Sequence, residues 1–192
     1  MNGTVSGADL LDRDRIESDR IETERLVLEP LTVAHARELF AAFQDAALYR
    51  FIPHEPPATL AALEARFARQ AVRCAPCRAE VWLNWILRLR DGGAAIGRVE
   101  LTIREDRSAL FAYELAAAHQ GRGLATEACR AVIEHLFREY PVHTLVAEVD
   151  TRNAASIRLL ERLGFARVGE KRDADFFRGE TSHEYRFERR RA

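Results

Sequence analysis

Apolar positions along this chain change their period twice. The first twenty residues end in "LDRDRIESDR", where charges alternate and little is left to bury, so residues 1–20 are expected to be a disordered or loosely helical lead-in. From Arg25, "RLVLEPL" reads as a strand. Thr32 is placed to cap a helix carrying Leu39, Phe40 and Phe43. Thr59 is placed to cap a second, with Leu60, Leu63 and Phe67 at helical spacing. Between them "FIPHEPP" holds three prolines in seven residues and must be a loop. The pattern then turns strand-like in "EVWLNWILRLR", "AAIGRVELTI" and "ALFAYEL", with "DGG" at 91–93 joining the first two as a hairpin. Helical spacing returns with Leu124, Ala128, Val132 and Leu136, and Glu134 and Arg138 are expected to pair on the opposite face. "TLVAEV" predicts a buried strand, and "AASIRLLERL" a helix stopped by a left-handed Gly164. "FARVGE" and "SHEYRFE" supply closing strands. Early helices, an antiparallel meander and a β-α-β-α-β tail make one α+β domain over residues 21–192.

Composition narrows the function classes. A length of 192 residues suits one domain, and 47% hydrophobic with 31% charged residues describes a globular chain. The net charge of -1 offers no electrostatic reason to expect nucleic acid or an anionic membrane surface. No run approaches the roughly 20 apolar residues of a membrane span. The polar start lacks a secretory core, so the cytoplasm is the expected compartment. Cys74 and Cys77 form a C-x-x-C without a second ligand pair or a thioredoxin-like β-α-β setting, so they read as incidental and no metal is expected. Cys129 falls inside a helix and reads as packed. His54, His119 and His183 read as scattered surface histidines ahead of the alternative that they line an acceptor cleft, and Trp82 and Trp85 fall on opposite faces of one strand.

The stretch that carries candidate chemistry is "AHQGRGLATEA", residues 118–128, with two glycines around an arginine between a strand and a helix. Glycines there let backbone N–H groups approach a phosphate closely, and the helix dipole favours its charge. Asp150 ends the next strand about where a ribose-binding carboxylate sits in a dinucleotide fold, yet three facts exclude that fold. Thr126 stands at the third glycine position, fewer than 80 residues follow the start of the unit, and the preceding strands are hairpins. No Gly-Lys-Ser/Thr follows, which excludes a P-loop.

"QGRGLA" at 120–125 fits the pattern Q/R-x-x-G-x-G/A, with Gln120, Gly123 and Ala125 at the defined positions. "ETERLVLEPL", "IGRVEL" (96–101), "YEL" (113–115), "TEA" (126–128), "NAAS" (153–156) and "LGF" (163–165) occur around it in order. Together they resemble the GNAT N-acetyltransferase superfamily, in particular its ribosomal-protein N-terminal acetyltransferase branch, over about residues 22–188. The resemblance implies a GNAT-like mixed, mostly antiparallel central sheet of about seven strands flanked by about four helices. It implies acetyl-CoA as cosubstrate, no metal, and direct attack by a primary amine, either a protein N-terminal α-amine or a small-molecule amine. A monomer or homodimer is expected.

Residue by residue, the resemblance sets Gln120, Gly121, Arg122, Gly123, Leu124 and Ala125 at the pyrophosphate. Leu115, Ala116 and Ala117 line the pantetheine arm, in a gap where their strand splays from its neighbour. Gly121 and Gly123 also read simply as a turn, and Arg122 as a solvated arginine. Asn153 reads as an N-cap for the Ser156 N–H. The resemblance adds a contact from Asn153 to the arm and gives Ser156 the role of protonating the departing thiolate. The general base stays open. Some relatives carry a glutamate near the start of the strand before the glycine loop, and that position is Leu110 here. Glu114, the nearest carboxylate on that strand, reads equally as a base or as a structural partner. Glu100 is a further candidate, Glu127 reads as orienting the helix start, and water is the remaining route. Leu110 also motivates an alternative, a catalytically degenerate acyl-CoA-binding module.

Overall fold

A computed structural model describes residues 19–73 and 80–191. Cys74 and Cys77, and with them the reading of the C-x-x-C, lie outside these residues. Eight strands form one sheet: β1 (Ile21–Glu22), β2 (Leu26–Pro30), β3 (Glu80–Leu89), β4 (Ala95–Arg104), β5 (Ser108–Leu115), β6 (Thr144–Asp150), β7 (Ala166–Phe177) and β8 (Glu180–Arg190). Among the described residues, four α-helices flank it: α1 (His35–Leu39), α2 (Leu60–Ala71), α3 (Leu124–Glu139) and α4 (Ala154–Arg162). The two-residue β1, too short to leave a sequence pattern, is the strand beyond the seven expected. Spatial order is β1-β2-β3-β4-β5-β6-β8-β7, and every neighbouring pair is antiparallel except β5–β6.

Alternation divides the sheet into two faces. One carries Val81, Leu83, Trp85 and Leu87 of β3 with Val99, Leu101 and Ile103 of β4, packed with Ala128, Val132 and Leu136 of α3 and Leu159 and Leu160 of α4. The other carries Ile86 against Leu39, Phe43, Leu63 and Phe67 from the α1–α2 side. Cys129 is fully buried in the first core, as expected. Gly164 has φ +80°, and the N–H of Phe165 returns to the Leu160 carbonyl, which ends α4 as the sequence predicts.

Two local readings are corrected. Thr59 does cap α2, accepting from the Ala62 N–H at 3.1 Å, but Thr32 does not cap α1. Its N–H donates instead to His35 Nδ1 at 3.0 Å, and α1 lasts five residues before giving way to two 3-10 turns (Ala42–Gln44 and Ala46–Tyr49). Arg138 pairs with Glu139 at 2.6 Å rather than with Glu134. Asp19, within the stretch read as the lead-in, is 1% exposed. Its carboxylate accepts from Arg73, from the Tyr140 hydroxyl at 3.0 Å and from His135 Nε2 at 2.8 Å. Its carbonyl takes the Trp85 indole N–H at 2.6 Å.

Candidate active site

Strands β5 and β6 pair only from Ser108–Thr144 to Leu110–Val146 and then separate. The break is the expected splay. Ala116 N–H bonds the Ile96 carbonyl at 2.8 Å, so the ladder's parity turns the N–H groups of Tyr113 and Leu115 away from β4, to the open side. Gly97 is required here, since a Cβ on it would lie 2.2 Å from the Glu114 carbonyl oxygen. Without a side chain, β4 can follow β5 to its very end.

The glycine turn follows. Leu115 and Ala116 are buried, and Ala117 opens a 3-10 turn through His119. Gln120 donates its side-chain amide to the Leu115 carbonyl at 2.9 Å, which ties the turn to the strand end. Gly121 and Gly123 both have positive φ (+72° and +78°), and a Cβ on Gly121 would meet nothing within 4 Å. Their positive φ accounts for glycine at both positions as a requirement of the turn, and the turn carries no Cβ there. Leu124 fills the core and Ala125 packs at its margin, so what they can offer an anion is the N–H groups of the first helical turn, which have no partner within the helix. Arg122 is exposed, and its carbonyl accepts from Arg25 at 2.9 Å. Arg25 also grips Glu127 through Nε at 2.7 Å, while the Thr23 hydroxyl donates to the same carboxylate at 2.6 Å. Glu127 thus fastens the β1–β2 turn to the helix start. Burial would raise its pKa, and the hydrogen bonds from Thr23 and Arg25 outweigh this and lower it. Bare N–H groups, left-handed glycines and two adjacent arginines fit a pyrophosphate.

Asn153 caps α4 as expected, its Oδ1 accepting from the Ser156 N–H at 3.1 Å. The Ser156 hydroxyl accepts from the Tyr113 hydroxyl at 2.9 Å, across 43 residues of sequence. Burial pushes the Tyr113 phenol up, so it remains a donor at every physiological pH. Tyr113, Asn153 and Ser156 line a cavity of about 390 Å³ at the splay, and Glu100 and Glu114 line the same cavity. The structure therefore brings both predicted catalytic residues together.

Their environments differ. Arg98 is 3% exposed, with its guanidinium 5.5 and 5.9 Å from the ring centres of Phe43 and Phe67. Its Nε and Nη2 donate to the two carboxylate oxygens of Glu114 at 2.9 and 3.1 Å. Nη1 reaches Gln70 Oε1 at 3.1 Å and Glu100 Oε1 at 2.9 Å, and Gln70 Nε2 donates to Glu100 Oε1 at 2.7 Å. Burial would raise Glu114, but the bidentate Arg98 wins and holds it below the ordinary carboxylate value. For Glu100 burial wins over Arg98, helped by the Glu114 charge, and its pKa lies above that value. Of Glu114's two readings, this geometry favours the structural partner. Arg66 and His54 line the cavity too, and Arg66 Nε and Nη2 are buried with no hydrogen-bond partner among the described residues. Among those residues no cluster of potential metal ligands occurs.

The sequence reading missed Tyr113, Arg98, Gln70 and Arg25 because each acts through a partner 16 to 102 residues away. One signal was available: strand parity puts Arg98, Glu100 and Glu114 on one face once β4 and β5 are paired.

The chain belongs to the GNAT family, whose acetyltransferase domain model matches residues 25–166. It is 41% identical over 63 residues to a probable N-acetyltransferase of Bacillus subtilis, YjcK, covering 33% of this chain and 35% of that protein. Alignments to the first three curated relatives span only 35%, 47% and 30% of their lengths. Among solved structures, RimL, a ribosomal L7/L12 α-N-protein acetyltransferase in complex with coenzyme A, has a TM-score of 0.81 at 17% identity over 90% of this chain and 98% of that one. The microcin C7 self-immunity acetyltransferase MccE, in complex with acetyl-CoA and AMP, has a TM-score of 0.76 at 16% identity over 88% and 93%. At such identities these structures share the fold.

Proposed function

We propose that the protein moves an acetyl group from acetyl-CoA to a primary amine by direct attack. One observation carries the reading: a single cavity, at the point where β5 leaves β6, is lined both by the Tyr113–Ser156 pair and by Glu100. Acetyl-CoA supplies the activated acyl group as a thioester. The first-turn N–H groups of α3 and the glycine turn bind its pyrophosphate, and the Leu115–Ala117 edge with Asn153 holds its arm. An N–H on the open side of β5 polarises the acyl oxygen. Glu100, its pKa raised above the ordinary carboxylate value by burial, takes a proton from the acceptor ammonium. The freed amine forms the new C–N bond, the C–S bond breaks, and the Ser156 hydroxyl gives its proton to the departing sulfur. Tyr113 replaces that proton through its hydrogen bond. The second proton of the attacking nitrogen, shed as the amide forms, returns through water to Tyr113, and Glu100 releases its own proton to solvent. Leu110 does not remove the base in this reading, because Glu100 reaches the same cavity from the neighbouring strand. RimL is named for an α-amine, so short peptides with free α-amines are the first acceptors to try.

The cofactor half is tested by calorimetric titration of acetyl-CoA without added metal. The wild type binds. Gly123→Val, which forces a β-branched residue to φ +78° in the turn, loses most of that affinity while circular dichroism shows the fold intact. Equal affinity in a folded variant refutes the site.

A further inference from the structure

The wall of the cavity formed by Phe51, Ile52, Pro53 and His54 belongs to no helix or strand. Pro53 keeps it out of regular structure, so its carbonyls must find partners elsewhere. Two of them find one side chain. Arg178, at the tip of the β7–β8 hairpin, donates to the carbonyl of Tyr49 and to those of Ile52 at 3.3 Å and His54 at 3.1 Å. It also reaches Glu55 Oε1 at 3.4 Å.

The turn that presents it is the wrong place for an arginine on local grounds. Phe177 pairs with Glu180, leaving a two-residue loop in which Arg178 and Gly179 have φ of +52° and +76°. Positive φ at both central residues favours Asn-Gly or Gly-Gly, and an arginine there is strained. Asparagine would suit the backbone better but is too short to reach the three carbonyls. The strain is accounted for by what the guanidinium holds.

We propose that Arg178 is a positioning residue that latches the 49–55 segment against the β7–β8 hairpin and so sets the acceptor side of the cavity. The inference rests on the reading of this cavity as the acceptor site. The latch acts on one wall only. The glycine turn and the Tyr113–Ser156 pair are held by other contacts, so the cofactor side is independent of it.

The test compares the full-length wild type with Arg178→Asn and Arg178→Lys. Arg178→Asn relieves the turn and removes the latch, whereas Arg178→Lys keeps one charged donor. Hydrogen exchange read by mass spectrometry should quicken about tenfold or more over residues 46–57 in Arg178→Asn, with the sheet unchanged and Arg178→Lys intermediate. Acetyl-CoA affinity by calorimetry stays at the wild-type value. With a short peptide bearing a free α-amine as acceptor, the acceptor KM rises more than kcat falls. Unchanged exchange in 46–57, or a rise spread evenly over the sheet, overturns the latch. Local loosening with an unchanged acceptor KM overturns its role in positioning. If the wild type acetylates no amine, the functional reading fails, while the exchange result still decides the latch.

Discussion

Two glutamates on neighbouring strands share one arginine, and their roles diverge for that reason. Glu114 receives the bidentate edge of Arg98, whereas Glu100 receives a single contact from it and one from Gln70. A carboxylate whose pKa is raised by burial is protonated first as pH falls, and once protonated it accepts no further proton. The kcat/KM profile should therefore fall on its acid side at a pH above the 4.5 of an ordinary glutamate. Glu100→Gln should remove that limb and lower kcat/KM by about 10²-fold or more. Glu114→Gln should keep the limb but move it to lower pH, because the negative charge that raises Glu100 is gone. A limb that vanishes only in Glu114→Gln would reverse the assignment. On the opposite wall, Ser156→Ala should lower kcat with little change in acetyl-CoA affinity, the pattern of an interaction made in the transition state. Wild-type kcat in this variant, measured by thiol release, would leave Ser156 as a helix-start residue.

At the scale of elements, what the sequence disclosed was whatever is local. The glycine turn, the Asn153 cap and the Gly164 stop are each decided within a few residues, and the structure has all three. Boundaries failed where a local rule met a tertiary competitor. Thr32 has a capping side chain, but His35 engages it, and the chain tightens into 3-10 turns instead of continuing α1. The β5–β6 splay was legible only through family resemblance. Nothing in "ALFAYEL" or "TLVAEV" says that pairing ends at Leu110, and Gly97, which lets β4 stay with β5 beyond that point, lies on another strand. The Glu100–Arg98–Glu114 cluster was hidden for a related reason, since it needs the register of two strands before its three residues share a face.

The whole molecule is tied together by contacts between distant parts of the chain, and Asp19 is the furthest from sequence intuition. Four side chains from β3, α3 and the segments after α2 and α3 converge on a residue that reads as part of a charged lead-in. Burial would raise its pKa, but hydrogen bonds from His135, Arg73 and Tyr140 win, so the folded value lies below 3.8. A group depressed on folding contributes stability above its unfolded pKa and loses it as pH falls through the folded one. Asp19→Asn should thus lower stability by about 3 kcal/mol at neutral pH, with the deficit shrinking in melts below about pH 4. A deficit that is constant from pH 7 to pH 3 would show that its charge is not what holds the segment.

The central claim is that one cavity joins a thioester to an amine. It is met most directly by following thiol release and product mass together, with acetyl-CoA and a panel of amines that includes short peptides with free α-amines. The account predicts that at least one amine gains a single acetyl group for each thiol released, and that Glu100→Gln lowers both signals together by about 10²-fold at neutral pH. Tight acetyl-CoA binding with no acetylated amine anywhere in the panel would contradict it and leave a module that binds the cofactor without transfer.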